Sequence, residues 1–275
     1  MTQVFVFAHD RYDSMTTSIM LEADGVDHHV LVSSADRAVK FAEGNRVFPE
    51  RLVVTNNGEG LGNSRNAALD MMEEGEWALF LVDDMKQCYE LDTYSQESSD
   101  ELPIDFDNQN EYRRRLRTPI STKEFLERAT DSIPHLESVG SALLGFAPFS
   151  NPMFRRKKWG YQVLADGRAW LVKKTDLRFD PRAEMMDDYF FTALNIREFG
   201  VSVIDRWIEP KFARYTAGGY GTIDERMARK IQTAQFLVEE FPDLIQHKQK
   251  KGWPDGSHIG LRGGLQKKYP IRGQG

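Results

Sequence analysis

The sequence predicts an α/β fold in which helices flank a mainly parallel central sheet. Residues 4–8 and 77–82 form short, nearly continuous apolar runs, a pattern typical of strands that are buried on both faces. Between these runs, strand-like and helix-like segments alternate along the chain, as they do when helices connect parallel strands. In such folds the ligand crevice lies outside the carboxyl ends of the strands.

Apolar periodicity and capping residues define the remaining elements. Strands are predicted at residues 4–8, 28–34, 51–55, 77–82, 141–146, 160–165, 169–172, 177–179 and 201–207. Helices are predicted at residues 35–43, 65–74, 122–133, 188–199 and 223–241. Asn63 or Ser64 is expected to cap the second helix. The strands after residue 140 add a small, partly antiparallel layer, and residues 89–118 are interpreted as an irregular, acidic surface loop.

The composition is that of an ordinary folded protein of 275 residues, with 40% hydrophobic and 28% charged residues. We expect one domain at residues 1–245 and a basic, Gly-rich tail at residues 246–275. The net charge of −6 argues against a surface covered in basic residues for nucleic acid. No apolar run is long enough to span a membrane, no basic residue precedes the first apolar run, and Cys88 is the single cysteine. The cytoplasm is therefore the expected location.

Two adjacent carboxylates, Asp83 and Asp84, follow directly after the apolar run at residues 77–82. Paired carboxylates at the end of a buried strand repel each other, and a divalent cation removes this cost. Mg²⁺ and Mn²⁺ take oxygen ligands, commonly one or two carboxylates together with substrate phosphates and water. The alternative is that the two aspartates only cap the turn that follows.

A Gly-rich segment, Gly-Leu-Gly-Asn-Ser-Arg-Asn-Ala-Ala-Leu-Asp at residues 60–70, precedes this strand. It places Arg65 and Asn66 in the first turn of a predicted helix, where backbone N–H groups and a guanidinium suit a diphosphate. The segment lacks the full spacing of the dinucleotide-binding and P-loop motifs. It therefore predicts a diphosphate site only in combination with Asp83 and Asp84.

The Gly-rich segment and the strand that ends at Asp83 and Asp84 together resemble the central signature of GT-A glycosyltransferases. Residues 184–192, Glu-Met-Met-Asp-Asp-Tyr-Phe-Phe-Thr, are similar to a second motif of that superfamily, in which a carboxylate is the general base. The resemblance implies a GT-A-like fold whose antiparallel layer lies on the acceptor side. It also implies that Asp188 is the base, with Asp187 beside it. The alternative is that Asp188 caps the predicted helix.

The same resemblance implies a nucleotide-sugar donor, a UDP-sugar, bound with Mn²⁺ or Mg²⁺ by Asp84 and Asp83. The residues expected to contact the donor are Ala8, His9, Arg11, Asn56, Arg65, Asn66, Asp83 and Arg262. His258 and Arg262 lie in the basic tail, which resembles flexible segments that close over the donor in GT-A enzymes. His258 would then be a metal ligand. Alternatively, His258 is only solvated, and the tail is solvated or contacts DNA.

Within this superfamily, residues 1–210 resemble the phage-encoded TET-associated glycosyltransferases, which transfer sugars to hydroxymethylated pyrimidines in DNA. Many members have three consecutive acidic residues, whereas Met85 follows the pair here, so the division of roles between Asp83 and Asp84 stays open. For a phage-encoded chain the location would be the host cytoplasm. A DNA acceptor is expected to contact two basic clusters, which comprise Arg113, Arg114, Arg155, Arg156, Lys157 and Lys158. Otherwise these clusters are exposed charged faces.

Three other functions are compatible with the same residues. The acceptor is alternatively a polysaccharide, a lipid-linked glycan or a protein. The reaction is alternatively nucleotidyl transfer, which releases pyrophosphate instead of a nucleoside diphosphate. In the last alternative, the chain binds a nucleotide sugar or DNA without turnover.

Overall fold

A computed structural model of the chain describes most of its length. The described residues are 2–8, 12, 15–44, 47–56, 58, 60–91, 117–147, 157–213, 223–252 and 254–272. Within them, the predicted α/β fold is confirmed: an eight-stranded, mostly parallel sheet is flanked by helices and accompanied by small antiparallel sheets. None of the described helices combines the length and the apolar character that crossing a membrane requires.

Thirteen strands and eight α-helices are found in the described residues. The strands are β1 Gln3–Phe7, β2 His29–Val32, β3 Leu52–Val54, β4 Trp77–Val82, β5 Met85–Leu91, β6 Arg117–Ile120, β7 Leu143–Phe146, β8 Trp159–Tyr161, β9 Ala169–Lys173, β10 Val203–Asp205, β11 Ile208–Phe212, β12 Ile245–His247 and β13 Ile259–Leu261. The helices are α1 Thr16–Ala23, α2 Ala35–Glu43, α3 Leu61–Met71, α4 Thr122–Asp131, α5 Ile133–Val139, α6 Asp187–Phe199, α7 Ile223–Glu240 and α8 Leu265–Lys268. Short 3₁₀ helices lie at Pro49–Arg51 and Pro181–Met186.

The large sheet has the strand order β3-β2-β1-β4-β9-β7-β10-β8. The four strands at one end, β3, β2, β1 and β4, are mutually parallel, and β7 and β10 form a further parallel pair. The strand β9 is inserted antiparallel between β4 and β7. Because of this insertion, the carboxyl end of β4 lies beside the start of β9, and the loop before β9 becomes part of the same edge.

Hydrophobic side chains cover both faces of the large sheet, as the apolar runs predicted. Along β4, Ala78 and Phe80 pack with α3, α6 and α7 on one face. Trp77, Leu79 and Leu81 pack with α1, α2, α4 and α5 on the other. Alternation along a single strand thus joins two helical layers, since successive side chains point to opposite faces.

Several predicted boundaries were wrong, and the contacts explain why. The helix predicted at residues 65–74 begins at Leu61, after Gly60 with a φ of 105°, so neither Asn63 nor Ser64 is its cap. The segment 177–179 is not a strand, because the backbone of Phe179 is bonded by the side chain of Asn66 instead of by a neighbouring strand.

Other boundaries changed where the backbone turns. The predicted strand 160–165 stops at Tyr161, because Gln162 adopts a positive φ of 52°. Of the predicted strand 201–207, only residues 203–205 form a strand, β10, and a hydrogen bond of 2.8 Å from the Trp207 N–H to the Asp205 carboxylate forms the turn before β11. The acidic surface loop predicted at residues 89–118 begins in β5 and ends in β6, and these two strands pair with each other. Its middle, residues 92–116, lies outside the described residues.

The tail was predicted to be a flexible extension, but its described residues are folded against the domain. The strands β12 and β13 form an antiparallel hairpin, and the expected boundary at residue 245 falls inside β12. Ile259 and Leu265 are buried with α6 and α7, and Ile271 is buried on the other face of the sheet. These apolar residues account for the difference, because their burial holds the segment in place.

Candidate functional site

The predicted metal-binding pair lies in the turn between β4 and β5. Asp83 and Asp84 are only 2% and 7% exposed. Their backbone carbonyls accept hydrogen bonds from the N–H groups of Thr17 (3.3 Å) and Ala213 (3.0 Å), respectively. The Thr17 hydroxyl also donates to the carbonyl of Val82 at 2.6 Å and accepts from the N–H that follows the pair. The turn is therefore fixed by its backbone, which leaves the two carboxylates with defined positions at the carboxyl end of the strand.

A third acidic residue and an arginine come from the loop before β9. The N–H of Val82 donates to the carbonyl of Arg168 at 3.0 Å, which joins this loop to the end of β4. Arg168 makes a bidentate contact with Asp166, at 2.8 and 2.6 Å. This contact is the main cause of the raised pKa of Arg168, and the charges of Asp84 and Asp188 raise it further. Arg168 therefore lies within electrostatic reach of both predicted functional carboxylates.

Sequence reasoning missed Asp166 and Arg168. The signal was the turn Asp-Gly-Arg at residues 166–168, between two apolar segments. Its importance depends on β9 lying next to β4, which is a pairing between segments distant in sequence.

The predicted base lies in the first turn of α6. The helix begins at Asp187, its N-cap position is Met186, and Asp188 accepts a hydrogen bond of 2.9 Å from the N–H of Tyr189. Asp188 is thus a helical residue and not the N-cap. Burial of its carboxyl is the largest cause that raises its pKa, to about 7, and the neighbouring charges of Asp187 and Asp166 act in the same direction. A carboxyl with this pKa is suited to exchanging a proton near neutral pH.

Arg65 links three parts of the site from inside the protein. Its side chain is 1% exposed, and its guanidinium donates to the carboxylate of Asp187 and to the carbonyl of Gly167. The guanidinium carbon also lies 4.3 Å from the centre of the Trp170 ring. Gly167 is close enough to Asp188 that an added Cβ would lie 3.2 Å from the Asp188 Cβ. Arg65 therefore fixes α6 and the loop before β9 relative to α3, and its contact with a diphosphate stays a prediction.

Asn66, the next residue of α3, has a comparable structural contact. Its side-chain amide donates to the carbonyl of Phe179 at 2.9 Å and accepts from the N–H of the same residue at 2.8 Å. Phe179 in turn stacks on Phe191 of α6, with 4.1 Å between ring centres. Asn66 thus holds the segment that leads into α6. Its contact with the donor stays a prediction.

The other predicted donor contacts are distributed along the same edge and the tail. Ala8 follows β1 and donates its N–H to the carbonyl of Leu31 at 3.2 Å, and Asn56 is an exposed residue after β3. These two residues follow strands parallel to β4, so they lie at the sheet edge that carries Asp83 and Asp84. His9 and Arg11 lie outside the described residues.

The two tail residues have different surroundings. Arg262 donates from Nε to the carbonyl of Pro242 at 2.8 Å, at the end of α7. His258 precedes β13, and the charges of Lys230, Lys248 and Lys250 assist burial in lowering its pKa. Its role as a metal ligand stays a prediction.

The expected DNA contacts are only partly covered. Arg113, Arg114, Arg155 and Arg156 lie outside the described residues. Lys157 is exposed, and Lys158 lies 3.6 Å from the carboxylate of Asp205 and above the ring of Trp159. These two lysines are at the β8 edge of the large sheet, so their contact with DNA also stays a prediction.

The donor set at the end of β4 fits a hard divalent cation that is shared with a substrate. Among the residues that the structure describes, no group of three or more His, Cys, Asp or Glu side chains could hold a metal ion. The pair Asp83 and Asp84 supplies carboxylate oxygens, which are the ligands that Mg²⁺ and Mn²⁺ prefer, and substrate phosphates and water commonly complete such sites. A cation held here would therefore depend on the donor for its remaining ligands.

The fold and the carboxylates at the end of β4 and the start of α6 define a GT-A-like α/β enzyme. Comparison with known families gives the more specific assignment: the sequence model of the TET-Associated Glycosyltransferase family matches residues 2–192. The chain therefore belongs to the TET-associated glycosyltransferase family and is a glycosyltransferase. The predicted family, fold class and enzyme class are confirmed. No curated protein matches the chain in a sequence search.

Proposed function

We propose that the protein transfers a sugar from a nucleotide-sugar donor, a UDP-sugar, to the hydroxymethyl group of a pyrimidine base in DNA. Membership of the family implies a modified DNA base as the acceptor. The observation that carries the proposal is the position of the loop at residues 166–168, which is bonded to the end of β4 through the N–H of Val82 and lies against Asp188 at Gly167. A carboxylate suited to the donor and a carboxylate suited to the acceptor therefore belong to one site.

On the donor side, Asp83 and Asp84 would hold a divalent cation together with the diphosphate. When bound, this cation neutralises the negative charge that develops on the departing nucleoside diphosphate. Both aspartates are buried, and a divalent cation would offset the cost of placing two adjacent carboxylates in a buried turn. Substitution of each aspartate in turn tests which of the two contacts the cation.

On the acceptor side, Asp188 would be the general base. The acceptor hydroxyl oxygen attacks the anomeric carbon, its proton moves to a carboxylate oxygen of Asp188, and the bond between the anomeric carbon and the diphosphate oxygen breaks. A single displacement of this kind inverts the anomeric configuration. The pKa of about 7 supports this role, since a base is most effective when its pKa lies near the working pH.

The experiment is incubation of duplex DNA containing 5-hydroxymethylcytosine with UDP-sugars and Mn²⁺, followed by mass spectrometry of the nucleosides. We expect one added sugar on the modified base, release of UDP, and loss of the product with chelator or with Asp84→Ala. Asp131→Ala removes an exposed carboxylate from the end of α4 and should leave transfer unchanged. Release of pyrophosphate would identify a nucleotidyltransferase, and transfer that survives both chelator and Asp84→Ala would contradict the metal-dependent mechanism.

A further inference from the structure

Four basic residues whose charges act on one another lie on α7 and around the hairpin of β12 and β13, which is bonded to α6. The family match at residues 2–192 does not include this part of the chain. The basic cluster comprises Lys230 of α7, Lys248 and Lys250 after β12, and His258 before β13. Its backbone is ordered by the hairpin: the N–H of Lys248 donates to the carbonyl of His258 at 2.9 Å. The Lys248 side chain lies directly over Gly260, in space that a Cβ on that residue would occupy.

The members of the basic cluster repel one another. Burial lowers the pKa of Lys230, and the charge of Lys250 lowers it further. The pKa of His258 is lowered by burial and by the charges of Lys250, Lys230 and Lys248. Packing of the hairpin on α7 therefore concentrates positive charge in one region of the surface, which favours the approach of an anion. The carboxylate that acts on Lys230 in the opposite direction is Asp188, the proposed base.

The hairpin places the basic cluster next to the proposed base. The hydroxyl of Tyr189 donates to the carbonyl of Ile259 at 3.2 Å, so the residue after Asp188 is bonded to the residue after His258. The charges of Asp84 and Asp188 both act on Arg168. The basic cluster thus lies beside the start of α6, which carries the proposed base.

We propose that the basic cluster binds the phosphate groups of the DNA strand that flank the acceptor base. This inference rests on the proposed DNA acceptor. A general base must contact the acceptor hydroxyl, so cations beside Asp188 face the molecule that carries this hydroxyl. In DNA, that molecule brings phosphates on both sides of the modified nucleotide. A chain with a net charge of −6 also needs locally concentrated cations to bind DNA, because phosphate contacts dominate the affinity.

The test compares two variants with the same loss of charge. Lys248→Gln/Lys250→Gln removes two exposed cations from the basic cluster. Lys123→Gln/Lys267→Gln removes two exposed lysines from α4 and α8 and is the matched control. Affinity for a fluorescent duplex is measured by anisotropy over a range of salt concentrations. The slope of log K against log salt should decrease by about two in the cluster variant and stay unchanged in the control.

A second measurement distinguishes DNA phosphates from the donor diphosphate. UDP with Mn²⁺ is titrated calorimetrically into the same variants, and its affinity should stay at the wild-type value in both. Weaker UDP binding in the cluster variant with an unchanged DNA slope would overturn the inference and assign the cluster to the donor. Equal slopes for the cluster variant and the control would also overturn it.

The two proposals can fail separately. Phosphate contacts do not require a modified base, so the salt slopes can be measured with unmodified duplex, whereas sugar transfer is measured with the modified duplex. Absence of sugar transfer by the wild-type protein would contradict the proposed function. A changed slope in the cluster variant would still support DNA binding by the cluster in that case.

Discussion

The guanidinium of Arg65 donates to the carboxylate of Asp187, so the Gly-rich segment at the start of α3 fixes the residue that precedes the proposed base. Arg65 is 1% exposed, and its second bond, to the carbonyl of Gly167, fixes the loop that carries Asp166 and Arg168. The charge of Arg65 also acts on Asp188, whose pKa it lowers against the larger effect of burial. Arg65 is therefore a positioning residue whose effect on the reaction is transmitted through α6.

Replacement of Arg65 should change both stability and the pH profile. Arg65→Gln leaves Asp187 without its buried cation, and we expect a loss of about 3 kcal/mol in the free energy of unfolding. It also removes a charge that lowers the pKa of Asp188, so the acidic limb of kcat/KM against pH should move to higher pH. The measurements are urea unfolding and kcat/KM from pH 5.5 to 9.

Arg65→Lys is the matched control for this prediction, since it keeps the charge and loses the planar pair of donors. In Arg65→Lys, the acidic limb of the pH profile should stay near its wild-type position while kcat falls. An unchanged limb in Arg65→Gln would contradict an electrostatic effect of Arg65 on Asp188 and leave only a structural role.

The adjacent aspartates should respond in opposite directions to the same substitution. Asp188→Asn removes a carboxylate whose ionised form is disfavoured by burial, so the variant should be more stable than the wild type at pH 8. Burial raises the pKa of Asp187 as well, but Asp187→Asn takes the carboxylate away from the buried guanidinium of Arg65, so this variant should be less stable. Melting temperatures at pH 8 give the comparison, and a decrease in both variants would contradict the assigned environments.

The wild-type protein should show a pH dependence of stability from Asp188. Its pKa is about 7 in the folded state against a usual value of 3.8, so between these values the folded state retains a proton that the unfolded chain has lost. The contribution of this group to stability is therefore fully present below about pH 4 and is lost as the pH rises to about 7. Comparing the pH dependence of urea unfolding between wild type and Asp188→Asn isolates this contribution, and parallel curves would contradict it.

The same titration should control activity. The proposed base is active when deprotonated, so kcat/KM should rise with pH and level off above about 7, and Asp188→Asn should lower kcat by roughly 10²- to 10⁴-fold and remove this rise. Binding of UDP with Mn²⁺ should be retained, because the substitution is on the acceptor side. Loss of UDP binding together with kcat would place Asp188 in the donor site instead.

Local sequence patterns were sufficient for the elements that are defined by their own residues. The apolar run at residues 77–82 is the strand β4, and the periodic segment at residues 35–43 is the helix α2, capped by Ser34 as such a sequence allows. The start of α3 was mistaken because Gly62 argues against a helix by propensity. In the structure, an added Cβ at Gly62 would lie 3.3 Å from Phe179, so close packing favours glycine there.

The candidate site was predictable in part for the same reason. The strand before Asp83 and Asp84 and the motif around Asp188 predict these residues as site residues, and their roles stay predictions. The positions of Asp166 and Arg168 depend on the antiparallel insertion of β9, and the Asp187 partner of Arg65 is 122 positions away in sequence. Neither relationship has a local pattern, so both required the tertiary structure.

The two carboxylates of the β4–β5 turn should be separable by their effect on cation-dependent binding. We expect Asp84→Asn to abolish the increase in melting temperature that UDP produces in the presence of Mn²⁺, and to lower kcat by at least about 10²-fold. Asp83→Asn tests whether Asp83 shares this role. In both variants the amide keeps the shape of the side chain. The backbone bonds from Thr17 and Ala213 should survive in both variants, so the apo melting temperatures serve as the folding control. Thermal stabilisation by UDP and Mn²⁺ in both variants would contradict a metal-binding role for this turn.

The C-terminal segment should contribute to the stability of the whole domain, because its apolar residues belong to the same core. Leu265 of α8 is 6% exposed and packs in the cluster that contains α6 and α7. We expect Leu265→Ala to lower the free energy of unfolding by about 2 to 5 kcal/mol, as large-to-small core substitutions do. Gln266→Ala changes the next, exposed residue of the same helix and should have little effect. Equal unfolding curves for Leu265→Ala and the wild type would show instead that the segment is a separate tail that does not stabilise the domain.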